Sequence, residues 1–331
     1  MSSNTRVLSR RALLAALGPL SLACSRKEPL ASAEPLPKRS AELPKAGVSS
    51  ASSARPVARL PAEERTWTFE KTPVGRMSVV VVLPERAENQ RFPALIAMHG
   101  RGETLKGPER GARGWVDDYA LKRAIERLSA PPLVAKDFAG FADEERLARL
   151  NAALAKEPYG GLVVVCPYTP DVLGREEPFT TAPPLAEFLV ETLLPKVYRE
   201  TPALGTPAST GIDGVSLGGR ASFAVGFLRP EAFGAVAGLQ AAFDPENARE
   251  FGVRAARARQ KNPSLSYRLL TSDADYYLGT THKLDAALTR EGVPHEFLVT
   301  RGTHSYEFNR GPGAIEMLVY HDRVLRRRPP I

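Results

Sequence analysis

Ser216 stands between Gly214 and Gly218 in the run TGIDGVSLGGRAS, Thr210 to Ser222, at the spacing Gly-x-Ser-x-Gly. A serine hydroxyl attacks a carbonyl only when a base takes its proton and when donors meet the negative charge that forms on the carbonyl oxygen. The chemistry on offer is acyl transfer through a serine ester. GIDGV reads as a short strand and LGGRASFAVGFLR as a helix, so Ser216 falls on a strand-to-helix turn, where such a serine is held out above a sheet edge. The first NH groups of a helix have no internal partner, which makes the NH of Leu217 one oxyanion donor. The loop HGRG, His99 to Gly102, follows the apolar strand FPALIAMHG and offers a second at the NH of Arg101.

The base must be one of five histidines. His282 and His321 fall within expected helices, His295 opens a strand, and His99 precedes the serine in the loop just described. His304, in TRGTHSYEFNRG, follows a strand near the C-terminal end and can swing over the sheet's carboxyl edge. The orienting acid should come from the loop of YRLLTSDADYYLG. Asp275 lies deeper in that loop and 29 residues before His304, far enough for a helix and a strand between them, so it ranks ahead of Asp273, with Asp244 third.

These residues need a scaffold, and from residue 62 onward strands and helices alternate, the signature of a largely parallel sheet covered on both faces. TWTFEKTPVGRMSVVVVLP predicts an antiparallel hairpin at its start, and GGLVVVCPY, GAVAGLQ, SYRLLTS and HEFLVT predict further strands. LAEFLVETLLPKVYRE, GTTHKLDAALTREG and AIEMLVYHDRVLR have helical spacing. Residues 101–160 exceed one crossover helix, and their charged pattern at DEERLARLNAALAKE reads as an excursion over the sheet's edge or mouth. The mouth itself should be lined by 101–116, 130–160 and 167–184, with Trp115, Tyr168 and Phe179 as its apolar walls.

With AMHGRG, GVSLGGRAS, SDAD and RGTHSYEF in that order, residues 65 to 326 resemble the α/β-hydrolase superfamily. The likeness is strongest to the esterase branch that includes esterase D-like, feruloyl-esterase-like and polyhydroxybutyrate depolymerase-like enzymes. The resemblance implies a mostly parallel central sheet with helices on both faces, a Ser216–Asp275–His304 triad, hydrolysis of carboxylic esters, and neither metal nor organic cofactor. Two positions depart from the pattern. Asp213 puts a carboxylate in the strand before the nucleophile, where pairing with Arg220 and tuning of the site are both open readings. Tyr306 fits the aromatic position after the histidine only loosely. An acyltransferase or a peptidase would use the same triad, and a cell-envelope binding protein could keep the fold without turnover.

Before this domain, Arg10 and Arg11 precede an uncharged run from Ala12 to Ala23, too short to span a bilayer, and residues 1–23 read as an export signal of twin-arginine type. Leu20 to Cys24 is similar to a bacterial lipobox, which makes Cys24 a lipidation site. Residues 24–61 are rich in Pro, Ala and Ser and read as a disordered tether, so an exported, cell-envelope or periplasmic location is expected for the domain at 62–331. The net charge is +8, partly from the signal and the Arg326–Arg328 run, and no basic stripe interleaved with aromatics points to nucleic acid. The chain has two cysteines; with Cys24 lipidated, Cys166 is read as a small apolar residue within a strand. No Cys-x-x-Cys or His-Glu-x-x-His spacing suggests a metal.

Overall fold

A computed structural model of the chain describes residues 61–171 and 178–331. The signal, Cys24 and the tether up to residue 60 lie outside the described residues, as do 172–177 of the segment expected at the mouth, and Pro61, the last residue of the expected tether, opens the first strand. Eight strands form one sheet: β1 (Pro61–Phe69), β2 (Met77–Pro84), β3 (Ala94–Met98), β4 (Val163–Pro167), β5 (Thr210–Gly214), β6 (Ala235–Leu239), β7 (Ser266–Ala274) and β8 (Glu296–Thr303). Their order is β1-β2-β4-β3-β5-β6-β7-β8. β1 and β2 pair antiparallel, β2 runs antiparallel to β4, and every pairing from β4 to β8 is parallel.

The period of two along each strand divides the core. Val79 and Val81 of β2 join Ile96, Val165 and Ile212 in one apolar cluster, while Val80 and Val82 join Leu95 and Val164 in another. Both faces are buried, which is why these strands read as continuous apolar runs instead of alternating ones. The helices Leu217–Leu228 and Ala248–Lys261 cover the first face with Phe223, Phe227, Phe251 and Ala255. Leu121–Ser129, Glu144–Lys156 and Ala314–Val324 cover the second with Ile125, Leu150, Leu154, Ile315 and Leu318. Each such aliphatic or aromatic side chain contributes roughly 1.5–3 kcal/mol on burial. Cys166 lies in this second cluster, and burial pushes its thiol pKa well up, so it behaves as a small hydrophobe.

Two expectations need correction. The sequence pattern runs from β6 straight to β7, yet the helix Ala248–Lys261 lies between them, the crossover that parallel neighbours require. And the excursion at 101–160 does not stay at the mouth. Only its first turns, up to Tyr119, reach the sheet's carboxyl edge, whereas Leu121–Ser129 and Glu144–Lys156 are packed by their apolar stripes onto the second face.

Candidate active site

The parallel strands all point the same way, so the loops after β3, β5, β7 and β8 open at one edge of the sheet, where ligands of open α/β sheets are held. Ser216 follows β5 and immediately precedes the helix Leu217–Leu228, with φ 56° and ψ −117°. A non-glycine residue in that region carries on the order of 1–3 kcal/mol of strain and persists only where its surroundings fix it. Three backbone bonds do so: Ser216 NH donates to Leu239 O at 3.0 Å, and Ser216 O accepts from Ala242 NH at 3.0 Å and Arg220 NH at 3.1 Å. The flanking glycines answer to close approach. A Cβ on Gly218 would lie 2.4 Å from the Met98 carbonyl oxygen, and one on Gly214 would lie 2.5 Å from the Gly218 backbone.

His304, just past β8, brings Nδ1 to 3.0 Å from Oδ1 of Asp275. The same carboxylate accepts from the Thr271 hydroxyl at 2.7 Å and from the NH of Tyr277 at 3.0 Å. A carboxylate so placed only accepts, so the imidazole proton sits on Nδ1 and the lone pair is left on Nε2. Asp273 is engaged elsewhere, capping the NH of Gly302 at 2.9 Å. The Tyr276 ring lies over the imidazole with centroids 4.3 Å apart. Gln240 adds a brace that the sequence reading did not single out: its Nε2 donates to Ser272 Oγ at 2.6 Å and to the carbonyl of Thr303, next to His304, at 3.0 Å. Its signal was there to be found, because a polar residue ended the apolar strand GAVAGLQ.

Ser216 and His304 line one cavity of about 200 Å³ together with Gly100, Arg101, Glu103, Tyr119 and Tyr306. Ser216 also borders a second cavity of about 390 Å³, whose walls include Arg101, Asp171, Leu217, Arg220, Asp244 and Tyr277. Leu217 is the first residue of its helix and Arg101 the first of the short helix Arg101–Thr104, and among the described residues no hydrogen bond takes either NH. His99, beside this loop, is buried and held neutral. Thr169 NH donates to its Nε2 at 2.8 Å, so Nδ1 carries the proton and donates to Gly100 O at 2.9 Å, and burial lowers its pKa to about 4. Among the described residues no His, Cys, Asp and Glu side chains gather as a metal site would require.

Comparison with solved structures finds a ferulic acid esterase at TM-score 0.59 and 17% identity, over 80% of this chain and 98% of that one. The fold is that of the α/β-hydrolases. A fluorophosphonate-binding serine hydrolase of Staphylococcus aureus aligns at TM-score 0.58 and 13% identity, over 79% of this chain and 99% of that one. An S-formylglutathione hydrolase of the same organism aligns at TM-score 0.56 and 12% identity, over 78% and 98% of the two chains. No protein-family model and no curated protein matches the sequence.

On this α/β-hydrolase scaffold Asp213 and Arg220 do not pair with each other. Arg220 donates to Asp244 at 2.8 Å on the wall of the larger cavity. Asp213 points away from the mouth: its Oδ2 lies 3.1 Å from His321 Nε2 and 3.7 Å from Arg268 Nη2, and its Oδ1 accepts the NH of Gly214 at 2.7 Å. Arg268 in turn reaches Glu316, which holds Arg146 through two bonds of 2.7 and 2.6 Å. It is a buried ionic chain beneath the sheet, built of groups too costly to bury singly. The expected apolar walls are also elsewhere. Trp115 is fully buried against Tyr119, Phe179 packs on Phe251 under the Arg254 guanidinium, and Tyr168 bonds the Thr104 carbonyl at 3.0 Å. Tyr119, Tyr276, Tyr277 and Tyr306 line the two cavities instead.

Proposed function

We propose that this chain is a serine hydrolase that cleaves carboxylic esters through an acyl-enzyme on Ser216. The 3.0 Å contact between His304 Nδ1 and Asp275 carries the reading, because it leaves Nε2 as a base in the cavity that Ser216 lines. In this mechanism Nε2 removes the Ser216 proton as Oγ bonds to the ester carbon, and the NH groups of Leu217 and Arg101 hold the oxyanion. The C–O bond then breaks, and His304 passes its proton to the departing alcohol. A water molecule gives a proton to Nε2, attacks the acyl-enzyme and frees the acid with Ser216 restored. Asp275 fixes the tautomer throughout. No step calls on a metal or an organic cofactor.

A fluorophosphonate probe and p-nitrophenyl esters test this on the purified domain. The wild-type protein should label and turn over, and Ser216→Ala should lose labelling and on the order of 10⁶-fold in kcat. Equal labelling of both proteins removes Ser216 from the mechanism, and acyl transfer to an added alcohol or amine in preference to water makes the chain a transferase.

We also propose that the domain is exported and held at the cell envelope through a lipidated Cys24, a reading supported by the signal-like run before it and the polar tether after it. Cys24→Ala should move the protein from the membrane to the soluble fraction; an unchanged distribution would refute the anchor.

A further inference from the structure

Beside the nucleophile lies a carboxyl group that the reaction above does not use. Glu103 belongs to the short helix after β3 and is 1% exposed. Each of its oxygens is taken by a tyrosine: Tyr306 Oη donates to Oε1 at 2.6 Å, and Tyr119 Oη donates to Oε2. Tyr119 Oη also accepts the NH of Gly100 at 3.2 Å. Lys106 Nζ stands 3.6 Å from Oε1 while it bonds Asp118 at 2.7 Å. Burial and the facing carboxylate raise the pKa of both tyrosines, so they remain donors wherever an imidazole base works.

The cluster joins three separate stretches of chain. Glu103 and Gly100 flank Arg101, whose NH is the proposed oxyanion donor. Tyr306 lies two residues past His304. Tyr119 ends the turn Gly114–Asp118 that carries the buried Trp115. The fit is close: a Cβ on Gly102 would sit 2.6 Å from Tyr306 Oη, and one on Gly100 would sit 3.7 Å from Ser216 Cβ. A carboxylate is a poor choice for filling such a space, since apolar residues of similar volume are often as stable. What a carboxylate does supply is two acceptors at fixed geometry, enough to bind two hydroxyls from different segments at once.

We propose that Glu103 is a positioning residue: through Tyr119 and Tyr306 it locks the Arg101 loop to the His304 loop, so that oxyanion donor and base meet the substrate already in register. The inference rests on the esterase reading of Ser216. Reacting groups must be held within about 0.5 Å of their productive places, and a misplacement of about 1 Å can cost on the order of 10²-fold in rate.

The test compares wild type, Glu103→Gln, Tyr306→Phe and the double variant in hydrolysis of p-nitrophenyl acetate. Each kcat is divided by the sites titrated with the fluorophosphonate, so that loss of folded protein cancels. Glutamine offers one side-chain acceptor where the carboxylate offers two. Each single variant should lose about 10- to 100-fold in kcat per titrated site with KM changed less than about twofold. The double should be no worse than the poorer single, because both remove the same link. Tyr306→Phe, at a rim position, serves alone should Glu103→Gln not fold. Wild-type kcat per site in the single variants, or losses that multiply in the double, overturn the proposal while leaving the esterase reading intact. A wild-type protein that neither labels nor turns over fails the esterase reading, and the proposal falls with it.

Discussion

At the scale of single residues, the two aspartates of SDAD show how three-dimensional placement separates what spacing alone ranks weakly. Asp273 is the last residue but one of β7, and Asp275 is the first residue after it. Only Asp275 turns its carboxylate to His304, while Asp273 accepts the NH of Gly302 in β8. Asp275→Asn should therefore let the imidazole settle in the wrong tautomer and cost about 10⁴-fold in kcat. Asp273→Asn keeps an acceptor for the Gly302 NH and should stay within a few-fold of wild type. Steady-state kinetics of the two variants decide between them, and a larger loss at Asp273 would reverse the assignment. The serine, the histidine and this acid stand out in the sequence because each follows a strand at a glycine-rich or polar loop, and the structure brings all three to one edge of the sheet. Gln240 shows only as a polar end to an apolar strand, and its role and that of Glu103 are not legible because their partners lie far along the chain: 63 residues separate Gln240 from Thr303, and 203 separate Glu103 from Tyr306.

At the scale of elements, the buried strands were the most legible part, since a sheet covered on both faces writes itself as unbroken apolar runs such as Val79 to Leu83. Helix Ala248–Lys261 shows the opposite case. Its buried face is Ala248, Phe251, Gly252, Ala255 and Ala258, a correct helical stripe made almost wholly of small residues. Between five arginines and lysines of the same helix that stripe scarcely registers as hydrophobic. The stronger signal was topological, because β6 and β7 can lie parallel only if something carries the chain back. The excursion at 101–160 misled for a related reason: Glu144–Lys156 looks charged, yet Leu150 and Leu154 are enough to seat it on the sheet.

At the scale of the whole molecule, two buried histidines tie stability to pH. Burial holds His99 near a pKa of about 4 and lowers that of His321, the latter opposed by Asp213. Both are neutral in the fold and take up protons in the unfolded chain below about pH 6.5, so the unfolded state binds more protons there and stability falls as the pH drops. For His99 the loss runs from about 6.5 down toward 4 and amounts to on the order of 3 kcal/mol. Urea midpoints at pH 7.5, 5.5 and 4.5 should decline steadily, and less steeply in His99→Asn. Midpoints that stay level across this range would contradict it.

The two cavities that meet at Ser216 have a consequence for how selectivity is organised. An ester attacked there has its acid portion and its alcohol portion on opposite sides of the carbonyl carbon, and the serine stands between two compartments that also share Arg101 and Tyr276. One is walled by Arg220, Asp244 and Tyr277, the other by Glu103, Tyr119 and Tyr306. Changes at Arg220, Asp244 or Tyr277 should then retune one half of the substrate and changes at Glu103, Tyr119 or Tyr306 the other, while changes at Arg101 or Tyr276 should be felt in both.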